Sequence, residues 1–73
     1  MDKMLSKIDI ECVMAYAKGN MRMTNASEIL FMHRNSISYH LDKVKNKTGL
    51  DPRNFFDLAK LMERIKKGGG SDD

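Results

Sequence analysis

Several kinds of protein are excluded by what this 73-residue chain has little of. There is one cysteine, Cys12, so no disulfide can form within the chain, which suits a reducing compartment. No apolar run approaches the roughly 20 residues that cross a bilayer. The N-terminus lacks the charged-then-apolar layout of a signal peptide. The only glycine run is Gly68-Gly69-Gly70, with no following Lys and Ser/Thr, so there is no phosphate-binding loop of the nucleotide-binding kind. Cys12, His33 and His40 match no paired Cys/His spacing, so neither a zinc site nor a Cys-His nucleophile is expected. No alternating strand pattern and no internal repeat is present. The expectation is one small, cytoplasmic, non-enzymatic domain with no cofactor, no metal, no membrane contact and no small-molecule ligand of its own.

What is present is helical periodicity. Ile10, Val13, Met14 and Ala17 predict the buried stripe of a first helix within residues 6–18, stopped by Gly19-Asn20. Thr24 reads as the N-cap of a short second helix over residues 25–30. A third begins near Arg34 and carries Ile37, Leu41 and Val44 on one face. Its opposite face carries Asn35, Tyr39, Lys43 and Asn46, with Arg34 and Ser36 near its start. Thr48-Gly49 ends it, because glycine adopts a left-handed conformation without steric cost. After a connection containing Pro52, Asn54 is placed to cap a fourth helix, with Phe55, Leu58, Leu61, Met62 and Ile65 as its apolar face. Residues 68–73 have the composition of a disordered tail. The fold class expected is therefore all-α, a small four-helix domain over residues 1–67 with a central helix-turn-helix.

Seven methionines are many for so short a chain. Gap-filling in a small helical core is the preferred explanation, and an adaptable partner surface the other. The net charge of +3 is modest, but its placement is not even. From Lys18 to Lys47 there are six basic residues against two acidic ones. A short helix pair joined tightly, with hydrogen-bonding side chains outward on the second helix and basic charge around it, fits the major groove of DNA.

The run His33-Arg34-Asn35-Ser36-Ile37-Ser38-Tyr39-His40-Leu41 resembles the C-terminal helix-turn-helix domain of the bacterial PucR and sugar-diacid-regulator transcription factors. That family's pattern is H-R-N-T-L-x-Y-R-L, then a basic stretch and T-G-L-D. Lys43, Lys45 and Lys47 followed by Thr48-Gly49-Leu50-Asp51 match its second part. Ala15-Tyr16 and Gly19-Asn20 resemble its first helix and following loop, so the likeness spans roughly Ile10 to Ile65. A more distant likeness is to the Fis-type nucleoid proteins.

The resemblance implies DNA-binding roles for His33, Arg34, Asn35, Ser36, Tyr39 and Lys43. Arg34 would bond guanine O6 and N7 with its fork, and Asn35 would read adenine or bond phosphate. Ser36 would hold the backbone beside the helix N-terminus, with His33 at the same end. Tyr39 and Lys43 would reach phosphate or the groove edge. Departures from the pattern are Ser36 for threonine, Ile37 for leucine, and His40 for arginine, which removes a fixed positive charge. Phe31 stands near the turn where many helix-turn-helix proteins have glycine, although this family commonly has a large residue there. Asp42 lies near the outward face and would oppose phosphate.

The partner implied is double-stranded DNA, bound sequence-specifically in transcriptional regulation, with a homodimer as one assembly. The other readings are a small helical module that binds protein, or an architectural DNA binder with little sequence preference. In the family such a domain ends a longer protein that senses a signal. This chain would be an excised domain, a free-standing small regulator or a fragment used in combination.

Overall fold

The computed structural model describes residues 5–69. Four helices follow one another: α1 (Lys7–Lys18), α2 (Met23–Leu30), α3 (Arg34–Thr48) and α4 (Phe55–Gly69), and no strand occurs among the described residues. Residues 70–73 of the expected tail lie outside the described residues.

α1 starts at a reciprocal cap. The Ser6 hydroxyl accepts from the Asp9 N–H at 3.3 Å, and the Asp9 carboxylate accepts from the Ser6 N–H at 3.2 Å. Two donors that the helix start would leave unpaired are thereby satisfied. α1 packs against all three other helices. Its buried face is consequently wide, comprising Cys12, Val13, Ala15 and Tyr16 together with Asp9. This corrects the predicted stripe. Val13 is buried, but Ile10, Met14 and Ala17 are only half-buried. Periodicity counts apolar residues, and so passes over a buried aspartate and the small Cys12, which let neighbouring helices come close.

The connection from α1 to α2 is tight. Asn20 and Met21 both adopt left-handed backbone, at φ 61° and 60°. The Met21 N–H bonds the Tyr16 carbonyl at 2.8 Å, and the Arg22 N–H bonds Gly19 at 3.2 Å. This turn delivers the chain into α2 earlier than predicted. Arg22 is the N-cap, its side chain makes no cap bond, and Thr24 sits inside the first turn. Asn25 turns back instead, its Nδ2 donating to the Gly19 carbonyl at 2.7 Å. Gly19 is required by space: a Cβ there would lie 2.7 Å from Asn25 Cβ.

α3 follows its predicted pattern. Ile37, Leu41 and Val44 are fully buried, and Gly49 closes the helix with φ 79°. The Thr48 hydroxyl donates to the Val44 carbonyl at 2.7 Å and accepts from the Leu50 N–H at 3.1 Å, fixing the exit. Pro52 is buried beneath the connection. Asn54 caps α4 as predicted, accepting from the Asp57 N–H at 3.1 Å.

α4 lies against α1, burying Leu58 and Leu61, with Met62 and Ile65 at the core margin. Phe55 departs from expectation. It is 66% exposed and meets Phe56 edge-to-face, ring centres 5.4 Å apart. It borders an open cavity beside Ala17, Met21 and Leu58, which leaves most of its ring uncovered. Met32 and Met62 pack at the core edge, the gap-filling role expected of them, and so do Met21 and Met23, which were expected in a loop before α2, whereas Met14, also expected in the core, is not among the residues packed against it.

Candidate nucleic-acid interface

α2 and α3 pack on each other and on α1, joined by the short turn at Phe31–His33, so the pair is a helix-turn-helix held by a third helix. The turn is stiff. The N–H groups of Phe31 and Met32 both reach the Ser27 carbonyl, and the Ser27 hydroxyl donates to the Met32 carbonyl at 2.6 Å.

His33 is the N-cap of α3, its Nδ1 accepting from the Asn35 N–H at 3.1 Å. With Nδ1 so occupied, the ring's Nε2 carries the hydrogen and remains available outward. Arg34, Asn35 and Ser36 form the first turn of α3, and all three are exposed. None of their side chains bonds to another described residue. Tyr39, 60% exposed, stands one turn further along, and Lys43 one turn beyond that. Lys43 Nζ lies 5.7 Å from the Tyr39 ring centre, within cation–π reach. Asn35, Tyr39 and Lys43 thus form a ladder of i, i+4 neighbours, opposite the buried Ile37, Leu41 and Val44.

Three residues that bear on this surface were not legible as such in the sequence. Asp9 is fully buried, and its carboxylate faces α3. His40 Nδ1 is 2.7 Å from Asp9 Oδ1, and Lys43 Nζ is 3.8 Å from Asp9 Oδ2. Burial pushes the Asp9 carboxyl upward. The bonds from His40 and from the Ser6 backbone and hydroxyl, with the Lys43 charge, outweigh burial and hold it below its ordinary 3.8. His40, where the family pattern has arginine, is thus a tie between α1 and α3.

The third is Arg53. Its guanidinium reaches from the α3–α4 connection onto the outward side of α3, bonding Asp42 Oδ1 and Ser38 Oγ, each at 2.8 Å. Asp42, the residue expected to oppose phosphate, therefore carries a compensating cation. A sequence signal for Asp9 did exist, since Ser6 and Asp9 have capping-box spacing. Nothing in the sequence pairs Asp42 with Arg53, eleven positions away.

Among the described residues no group of three or more His, Cys, Asp or Glu side chains could hold a metal ion, and no helix is long and apolar enough to cross a membrane. A helix-turn-helix with its second helix outward, polar and flanked by lysines defines a DNA-binding domain. Residues 10–65 match the family model of the PucR C-terminal helix-turn-helix domain, and the chain belongs to that family. Searches of curated proteins and of solved structures gave no match. The family implies DNA binding in transcription regulation, by a type of domain that is typically not an enzyme.

Proposed function

We propose that this domain binds double-stranded DNA sequence-specifically, in bacterial transcriptional regulation in the cytoplasm, by laying α3 in the major groove. One observation carries the reading. The first turn of α3 offers Arg34, Asn35 and Ser36 to solvent without internal partners, while the opposite face of the same helix is fully buried. An arginine fork held at a helix start suits guanine, and the Asn35 amide suits adenine. Ser36 and the His33 ring would bond phosphate, as would the Tyr39 hydroxyl and Lys43 along the groove wall. The α2 N-terminus, with no side-chain cap and Arg22 at its end, favours phosphate on the other side of the groove.

A homodimer belongs to the proposal. Two copies would present two recognition helices about 34 Å apart, to successive major grooves. The exposed Phe55–Phe56 pair lies on α4, away from α3, and offers apolar surface for such pairing.

The test is selection of duplexes from random sequence by the purified chain, at two salt concentrations. A short palindromic motif whose binding weakens steeply as salt rises is the expected result. Salt-sensitive binding without a motif would replace it with architectural binding. No binding at low salt would move the function to protein contact.

A further inference from the structure

Phe31 is the most exposed large apolar side chain among the described residues, at 94%. It also adopts left-handed backbone, φ 55° and ψ 43°, at the C-cap of α2. That conformation favours glycine, because a Cβ there crowds the neighbouring carbonyl. A phenylalanine here gains no burial to offset the crowding. It makes no ring contact with another described residue, unlike Phe55 with Phe56 or Tyr39 with His40. Neither packing nor backbone preference accounts for it.

Its position offers a reason. Met32, the next residue, packs inward against the core, so Phe31 and His33 flank it on the outside. His33 caps α3, and Arg34 is its first residue. Three Cα steps separate Phe31 from Arg34, a span of at most about 11 Å. The three hydrogen bonds to Ser27 and Met32 hold the turn rigid, so the ring projects from a fixed platform. With α3 in the groove as proposed, an aromatic ring fixed this close to its start would meet the rim of the major groove. The apolar feature that DNA presents there is the thymine 5-methyl group.

We propose that Phe31 is a specificity-determining residue whose ring packs against a thymine methyl at the edge of the site read by Arg34. The inference rests on the proposed function, and the experiment separates the two. The full chain and its Phe31→Gly variant are titrated against a duplex recovered by selection, and against copies in which each dT in turn is replaced by deoxyuridine, which lacks the methyl. Folding is followed by circular dichroism.

Phe31→Gly is expected to melt at the same temperature as the wild type or higher, since glycine suits the backbone. It is expected to bind the selected duplex about five- to tenfold more weakly, the scale of one lost apolar contact. Replacing one particular dT should weaken the wild type several-fold and leave Phe31→Gly indifferent. Equal binding by variant and wild type would overturn the inference and leave the proposed function intact. So would weaker binding by the variant with no deoxyuridine sensitivity in the wild type. A variant that keeps DNA binding but loses self-association would assign the ring to a protein interface instead. A wild type that binds no duplex overturns both the inference and the proposed function.

Discussion

His40 on α3 donates from Nδ1 to the buried carboxylate of Asp9 on α1, across 2.7 Å. An ionised carboxylate can only accept, so this contact places the imidazole hydrogen on Nδ1. Asp9 simultaneously closes the cap of its own helix through Ser6. One side chain thus joins the start of α1 to the middle of the proposed recognition helix, adding a polar tie to the packing of Ile37, Leu41 and Val44.

The stability of the domain should therefore fall in acid. The Asp9 carboxyl is held below its ordinary 3.8 in the folded chain. Its stabilising contribution is complete above the ordinary carboxylate range and is lost as pH falls through the lowered folded value. Denaturant unfolding followed from about pH 6 to about pH 2 should show a steeper loss for the wild type than for Asp9→Asn. At neutral pH, Asp9→Ala should cost about 2–4 kcal/mol, because it leaves His40 and the Ser6 N–H without their acceptor. Parallel pH profiles for wild type and Asp9→Asn would refute the role given to Asp9.

Arg53 compensates Asp42 on the outward side of α3, and the two are only partly shielded from solvent. Arg53→Ala should cost less than about 1 kcal/mol of stability, as exposed ion pairs do. Its effect on DNA should be larger in proportion, about two- to tenfold weaker binding, since it leaves Asp42 facing phosphate alone. Adding Asp42→Asn to Arg53→Ala should recover part of that loss. Titration of the wild type and the two variants against one duplex at low salt decides it, and an Arg53→Ala protein that binds as well as wild type would remove Arg53 from the interface.

The regular parts of this fold were readable from periodicity because one chemical type repeats without interruption. Ile37, Leu41 and Val44 are such a series, and Gly49 and Asn54 carry backbone preferences strong enough to mark their helix ends. Elsewhere tertiary contact overrode the local pattern. The face of α1 was displaced because Asp9 is polar yet buried, a position that His40 and Lys43 from α3 and the Ser6 cap make tolerable. The start of α2 shifted because Met21 follows Asn20 into left-handed backbone, which asparagine favours but methionine does not advertise. Phe55 was assigned to the apolar face of α4, and there it borders an open cavity with Ala17, Met21 and Leu58 without being covered by it. At the proposed DNA surface, helix phase was enough to place Arg34, Asn35 and Tyr39 outward, while Lys43 is half-buried against Asp9. The ties from Asp9, His40 and Arg53 join residues distant in sequence, and only the folded chain brings them together.

Cys12 should be inert in the native state. Burial, followed by the charges of Asp9 and Glu11, pushes its thiol up to about 11. The thiolate is the reactive form, so alkylation by iodoacetamide near neutral pH should require opening of the core. The labelling rate should then rise in parallel with denaturant unfolding. Rapid labelling of the native chain would contradict the packing of α1.

Gly19 marks the point where the end of α1 meets α2. A methyl group there would fall 2.7 Å from Asn25 Cβ and 3.1 Å from the Ala15 carbonyl oxygen. Both lie on or beside backbone, so neither can swing away as a side-chain tip would. Gly19→Ala should cost about 1–3 kcal/mol, the scale of overpacking, with the Asn25 bond to the Gly19 carbonyl as a further casualty. Chemical denaturation checks the magnitude. A variant as stable as wild type would show that the two helices separate without cost.

Arg34 and Lys43 lie on the same helix but should fail in different ways. Arg34 is exposed at the first position of α3, with no partner among the described residues, so Arg34→Ala should leave folding unchanged. It should lose about 1–3 kcal/mol of binding at one base position and relax selectivity there. Lys43 is half-buried, shares the Asp9 carboxylate, and stands two turns further along, where a phosphate is the natural partner. Lys43→Gln should weaken binding uniformly across sequences and reduce the salt slope by about one. The pair is best compared on a panel of single-base variants of the selected duplex, at several salt concentrations. A change of base preference confined to Arg34→Ala, with a change of salt slope in Lys43→Gln, would assign reading to the start of α3 and anchoring to its middle. The same base preference in both variants and wild type would mean that neither residue reads sequence, and that α3 enters the groove by some other part of its surface.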